Sequence, residues 1–158
     1  MIPGPGPNGG TLIRSAPSGP VVEVGGGSAP LAVRSQFEND QALNPEIVGD
    51  IVGATATFAN VPAGAVIFVQ SVLNFEGFGD SFADTRAVMD DGGGEVVIWQ
   101  PGPVVWPAQG ESPTFGKCPL QFQTPPLGAP AASVTVKLQA NGASSVRSGH
   151  LQAELILP

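Results

Sequence analysis

The sequence predicts an all-β protein, an antiparallel β-sandwich of jelly-roll type that follows an extended Gly/Pro-rich N-terminal arm. The 22 Gly and 17 Pro among 158 residues are about twice the usual share, which disfavours a mostly helical fold. Apolar residues alternate along segments that are separated by Gly, Pro and Asn, the pattern of strands joined by turns. Because 42% of the residues are hydrophobic and 12% are charged, the chain can bury a core and is not disordered throughout.

Residues 1–44 are predicted to form the arm, and residues 45–158 to form the sandwich. The first segment contains the breaker-rich stretches GPGPNGG, APSGP and GGGSAP. Pro lacks a ladder donor and Gly is costly to order, so this segment needs another surface to pair with. Three short apolar pieces, one of them Leu31 to Val33, are expected to order in this way. The candidate arm contacts are Leu12, Ile13, Val21, Val22 and Val24.

The first half of the sandwich segment alternates strand and turn signals. A strand near Ala54 to Phe58 precedes the Pro62-Ala63-Gly64 turn, in which Pro presets φ and Gly permits a positive φ. A long apolar strand is predicted from Ala65 to Phe75. A hairpin follows, with Thr85 to Met89 and Glu95 to Gln100 flanking an Asp/Gly-rich tip.

The last part of the chain shows the clearest alternation. Val134, Val136 and Leu138 face one way, while the polar residues between them face the other, which predicts a half-buried strand. Asn141-Gly142 is a strong hairpin signal, since both residues tolerate a positive φ. Residues 150–157 alternate again, so the C-terminal segment is predicted to be a core strand.

Charge and hydropathy exclude two classes of partner. The net charge is −7, and Lys117 and Lys137 are the only lysines, whereas nucleic-acid binding needs clustered cations. No apolar run reaches the roughly 18 residues of a membrane helix, so no membrane insertion is expected. A single cysteine forms no internal disulfide.

Motifs for catalysis, cofactors and metals are weak. The G-x-G-x-x-G match at Gly4 to Gly9 has no preceding strand and contains prolines, so it predicts no dinucleotide site. His150, the only histidine, lies on the polar face of its strand. The acidic residues between Asp80 and Asp91 do not have the spacing of a calcium loop and are expected to be solvated. The sequence therefore predicts no catalytic residue, no cofactor, no metal and no enzymatic activity.

Five aromatic residues allow two interpretations. Three phenylalanines occur in the polar context NFEGFGDSFADTR, and two tryptophans bracket a proline-rich loop. They either close the ends of the sandwich core or contact a neighbouring subunit or a receptor, since aromatic residues are enriched at interfaces. The candidate contacts are Phe75, Phe78, Phe82, Trp99 and Trp106.

The segment from about Ala54 to Pro158 resembles small trimeric β-sandwich domains of bacteriophage head fibres, tail fibres and capsid decoration proteins. The resemblance rests on TFANVPAGAVIFVQSVLNF, where a Val-Pro-Ala-Gly turn leads into a long strand, and on the closing VTVKLQANGASSVRSGHLQAELIL. It covers about two-thirds of the chain and includes no catalytic motif. It implies a jelly roll of the tumour necrosis factor type and a homotrimer.

The resemblance implies a non-enzymatic virion structural protein: a capsid decoration protein, a head-spike base or a fibre component. The arm would attach it to capsid or tail proteins, and the virion would assemble in the bacterial cytoplasm. The chain has no coiled-coil heptads and no true collagen stretch, which disfavours a fibre shaft. One alternative is a carbohydrate- or receptor-binding module that binds a host-surface glycan through the loops between Phe75 and Asp91. A second is a cell-surface or secreted jelly-roll ligand.

Overall fold

The computed structural model describes residues 31–107 and 112–158 in full, together with the backbone of three strands nearer the N-terminus. Every regular element in these residues is a β-strand, and the strands form two antiparallel sheets. The predicted all-β sandwich is confirmed. The strands are β1 (Gly4–Pro5), β2 (Thr11–Arg14), β3 (Val21–Val24), β4 (Ala32–Ala42), β5 (Gly49–Val61), β6 (Val66–Gly77), β7 (Ser81–Asp90), β8 (Val96–Trp99), β9 (Val104–Trp106), β10 (Thr114–Gln123), β11 (Ala131–Gly142) and β12 (Ser145–Ile156).

The order of the strands is that of a jelly roll. The larger sheet has the order β1-β2-β3-β4-β12-β6-β10, and the smaller has β5-β11-β7-β8, with β9 also paired to β7. From β4 onward, every connection crosses between the sheets except those that join β7, β8 and β9. This alternation is typical of a double-Greek-key sandwich, in which strands far apart in sequence become neighbours.

The core lies between the two sheets and follows the period-two pattern of the strands. In β6, for example, Ile67, Val69, Leu73 and Phe75 are almost completely buried, and the even-numbered side chains face outward. Phe58 of β5 closes the core from the opposite sheet. Each fully buried side chain of this size contributes about 1.5–3 kcal/mol through removal of apolar surface from water.

The turn predicted at Pro62-Ala63-Gly64 is confirmed. The amide of Ala65 donates to the carbonyl oxygen of Pro62 at 3.3 Å, and Gly64 has a φ of 81°. The hairpin of β7 and β8 is also confirmed, with Met89 opposite Val96.

The hairpin predicted at Asn141-Gly142 is wrong. β11 pairs with β5 and β7 in the smaller sheet, and β12 pairs with β4 and β6 in the larger one, so the chain crosses the sandwich here. Gly142 is needed for close packing rather than for a positive φ, because a Cβ atom would collide with the backbone carbonyl of Phe82.

The division expected at residue 44 assigns β4 to the arm, but the structure places this strand within the sandwich. β4 pairs with β12 from Ala32 to Ala42, and Val33 and Phe37 are each only 5% exposed. Glycine and proline are absent between Leu31 and Asn44, so the chain is free to extend once Pro30 is passed. The strands that extend the larger sheet beyond β4 are therefore β1 to β3.

Candidate interaction surface

The aromatic residues singled out in the sequence do not form one group. Phe75 is 1% exposed and Trp106 is 7% exposed, and their ring centroids are 6.1 Å apart. Trp99 is half-buried and stacks on Phe122, with 5.4 Å between ring centroids. Core packing accounts for both tryptophans and for Phe75, since these contacts close the sandwich between β8, β9 and β10. Phe75 and Trp106 therefore leave the set of candidate surface contacts.

Two phenylalanines are exposed together at one end of the larger sheet. Phe78 and Phe115 are each 70% exposed. Phe115 lies directly opposite Glu76 across the β6–β10 ladder, and Phe78 follows Glu76 by two residues. Sequence reasoning missed Phe115, although the alternation of Cys118, Leu120 and Phe122 puts odd-numbered residues of β10 on the outer face.

Lys117 extends this exposed surface along β10. It faces outward two residues from Phe115, is exposed, and has no ion-pair or hydrogen-bond partner within residues 31–107 and 112–158. On the other side of β6, Arg147 of β12 pairs with two carboxylates, Glu76 at 3.0 Å and Asp40 at 2.8 Å. We call Phe78, Phe115 and Lys117 the aromatic–lysine patch.

An acidic cleft lies on the outer face of the smaller sheet at the same end of the sandwich. Its volume is about 280 Å³. Asp84 is half-buried: its Oδ1 is buried without a hydrogen-bond partner among the described residues, and its Oδ2 accepts from Gln100 Nε2 at 3.4 Å. Asn141 is held by a 3.1 Å hydrogen bond from its Nδ2 to the carbonyl oxygen of Pro45. The residues of the acidic cleft are Asp80, Ser81, Phe82, Asp84, Pro103, Val105 and Asn141.

A charge network occupies the outer face of the smaller sheet further from this end. Lys137 pairs with Asp50 at 3.0 Å and with Glu95, and Gln139 Nε2 donates to Asp50 at 2.7 Å. The hydrogen bond from Gln139, assisted by Lys137 and opposed by burial, lowers the pKa of Asp50. The hydrogen bonds to Glu95 and Asp50 raise the pKa of Lys137. Arg86 Nε donates to Gln139 Oε1 at 2.8 Å. Three cations therefore have partners within the chain: Arg86, Lys137 and Arg147.

The single histidine and the single cysteine lie on opposite faces of the larger sheet. His150 is exposed on the outer face of the larger sheet, whereas Cys118 is buried on its inner face. Burial raises the pKa of the Cys118 thiol, which disfavours the reactive thiolate. In the part of the chain that the structure describes, no three His, Cys, Asp or Glu side chains gather as metal ligands, and no helix is long and apolar enough to cross a membrane.

The candidate arm contacts belong to β2 and β3, and what their side chains touch lies outside the described residues. The backbone register pairs β2 with β3 and places Val21 opposite Arg34 of β4. The residues concerned are Leu12, Ile13, Val21, Val22 and Val24.

No protein-family model matches the chain, and no curated protein sequence matches it. Among solved structures, the chain is similar to infectious bursal disease virus of the Gx strain, with a TM-score of 0.42 and 13% identity over 94% of this chain and 37% of that chain. The T13 viral particle of the same virus gives a TM-score of 0.42 and 12% identity, over 96% of this chain and 36% of that chain. The Gt strain gives a TM-score of 0.37 and 15% identity, over 77% of this chain and 30% of that chain.

The chain thus spans about a third of the length of these viral chains. At these scores the likeness carries no argument about function. The bacteriophage part of the sequence resemblance stays a prediction.

Proposed function

We propose that the chain is a non-enzymatic structural subunit of a virus particle, a jelly-roll domain that assembles with copies of itself and with other particle proteins. The observation that carries the proposal is the exposure of large apolar side chains at the ends of the sandwich, which is greatest at the end that carries Phe78 and Phe115. At this end Ile47, Phe78, Val105 and Phe115 are 65%, 70%, 68% and 70% exposed. At the other end the exposed fractions are lower, 60%, 45%, 47% and 52% for Val96, Val97, Ile156 and Leu157. Concentrated exposed apolar surface marks interaction sites in soluble proteins.

The fold alone does not decide between functions, because jelly rolls include both capsid and lectin domains. Assembly is favoured by the absence, within the described residues, of a paired nucleophile and base and of a metal cluster. It is also favoured by the low proportion of charged residues, 12% of the chain, since charge is depleted in the buried part of interfaces.

The finer proposal follows the sequence resemblance: a homotrimeric decoration, head-spike base or fibre component of a phage-like particle that assembles in the bacterial cytoplasm. The N-terminal strands support an attachment role. β1, β2 and β3 extend the larger sheet by antiparallel addition, with Val21–Arg34 as the registered pair to β4. An extended segment that adds to a sheet edge within its own chain can also add to the edge of a partner's sheet.

The test is the solution mass of the full chain, measured by light scattering after size-exclusion chromatography. We expect an oligomer whose mass falls when Phe78 and Phe115 are both changed to Ser, with an unchanged melting temperature. The matched control is the double change of Val96 and Val97 to Ser, at the opposite end, where the side chains are 60% and 45% exposed. A monomer at every concentration, or an equal effect of the control, would contradict the proposal.

The carbohydrate-binding alternative has one supporting observation. Phe78 is the one largely exposed aromatic side chain of the five predicted contacts. Binding on a glycan array that disappears in Phe78→Ala, while the oligomer persists, would favour this alternative.

A further inference from the structure

We propose that the aromatic–lysine patch of one copy docks into the acidic cleft of a second copy, so that copies join head to tail. This inference rests on the proposed self-assembly and names the two surfaces that carry it. The occupant of the cleft is a second copy of this chain, and the argument for it is charge complementarity together with the apolar surface that both sites expose.

The patch offers a cation beside apolar surface. Phe115 and Lys117 point outward from the same face of β10, two residues apart, and Phe78 follows the end of the neighbouring strand β6. Lys117 and Arg34 are the two fully described cations without a partner in the described residues. Of these two, only Lys117 has an exposed aromatic residue, Phe115, on its own strand.

The cleft offers the complementary chemistry. Asp80 and Asp84 supply carboxylates, and Phe82, Pro103 and Val105 supply apolar walls. A lysine side chain fits such a site, because its aliphatic stem packs on apolar surface while its ammonium group reaches the carboxylates.

Asp84 lines the cleft, and its Oδ2 accepts a hydrogen bond from Gln100 Nε2 at 3.4 Å. Its Oδ1 is buried without a donor among the described residues. The ammonium group of a lysine supplies three donors for carboxylate oxygens. The carboxylates of the cleft disfavour an anionic ligand, and its apolar walls favour an organic cation over a bare metal ion.

The two surfaces cannot satisfy each other within one copy. The patch lies on the outer face of the larger sheet, and the cleft lies on the outer face of the smaller sheet. A contact between unlike surfaces is heterologous, and it generates a closed ring if the rotation between copies closes, or a filament if it does not. A ring of three copies would meet the trimer expectation.

The experiment is a charge reversal on the full chain. We compare Lys117→Asp, Asp80→Lys and the double variant by sedimentation equilibrium. Each single change is expected to weaken self-association at least ~10-fold, and the double variant to recover most of that loss, because opposite charges again face each other. Raising the salt concentration should weaken self-association of the unaltered protein, and it should change self-association of the single variants less.

Arg34→Asp is the matched control, since Arg34 is an exposed cation on the same outer face but away from the phenylalanines. It should leave association unchanged. Thermal melts verify that each variant folds. If Asp80→Lys lowers the melting temperature, Asp80→Asn replaces it as a single variant, and the recovery criterion then does not apply.

Three results would overturn the docking proposal: unchanged association in Lys117→Asp, an equal loss in Arg34→Asp, or no recovery in the double variant. If the charge variants contradict the docking proposal but the oligomer dissociates when Phe78 and Phe115 are changed to Ser, the proposed function still holds without the contact between Lys117 and the acidic cleft. A chain that is monomeric before any change contradicts both. Glycan binding that is lost in Asp84→Asn would make the cleft a sugar site and overturn the docking proposal.

Discussion

Phe75 and Phe115 form a matched pair that separates stability from assembly. They lie on adjacent strands at the same end of the larger sheet, but Phe75 is 1% exposed and Phe115 is 70% exposed. Phe75 is opposite Gly116 on one side and Val146 on the other, and its ring contacts Trp106. Gly116 has no side chain to fill the space that Phe75→Ala would leave.

We therefore expect Phe75→Ala to cost about 3–5 kcal/mol, the range for truncating a buried aromatic side chain. This is a large part of the roughly 5–15 kcal/mol that stabilises a domain. Phe115→Ala should change stability by less than about 0.5 kcal/mol, because its side chain is already in water. For self-association we expect the opposite: Phe115→Ala should weaken it more than Phe75→Ala does.

The assay is urea unfolding followed by tryptophan fluorescence, at protein concentrations low enough to populate the monomer. With a slope near 2 kcal/mol/M, the midpoint for Phe75→Ala should fall by about 2 M. A loss below about 1 kcal/mol for Phe75→Ala, or equal losses for the two variants, would show that the strand register or the inner face of β6 is assigned incorrectly.

Three further changes test the fold. Gly142→Ala should lower the free energy of unfolding by about 1–3 kcal/mol, because the new Cβ would meet the backbone of the facing strand. Gly128→Ala is the control, since a Cβ there would have no atom within 4 Å. Thermal melts measure both variants. Asp50 has a folded pKa below its ordinary 3.8, so the stability it contributes is present above the unfolded pKa and lost as the pH falls through the folded pKa. Asp50→Asn should reduce the loss of stability below about pH 4 in acid titrations followed by circular dichroism, and an equal effect from the exposed Glu46→Gln would contradict this assignment. Deleting residues 151–158 removes half of β12, the strand between β4 and β6, and the shortened chain should be unfolded by circular dichroism. A cooperative melt of the shortened chain would contradict the central place of β12 in the larger sheet.

Alternation and turn chemistry made the fold class predictable from the sequence. Val134, Val136 and Leu138 are buried as their spacing predicts, and the Pro62-Ala63-Gly64 turn forms where Pro and Gly favour it. These properties depend on neighbouring residues alone. The sequence also identified Phe78 as a residue in a polar loop, and the structure shows it largely exposed.

The structure alone decided which strands pair and which aromatic residues reach the surface. Asn141-Gly142 has the same local chemistry in a hairpin as in a connection that crosses the sandwich, and only the distant partners of β11 and β12 distinguish the two. Phe75 and Phe115 are likewise the same residue type, and the register of β6 against β10 buries one and exposes the other. Turns and alternation are set over a few residues, whereas sheet order and burial are set by contacts between residues far apart in the chain, which local pattern does not specify.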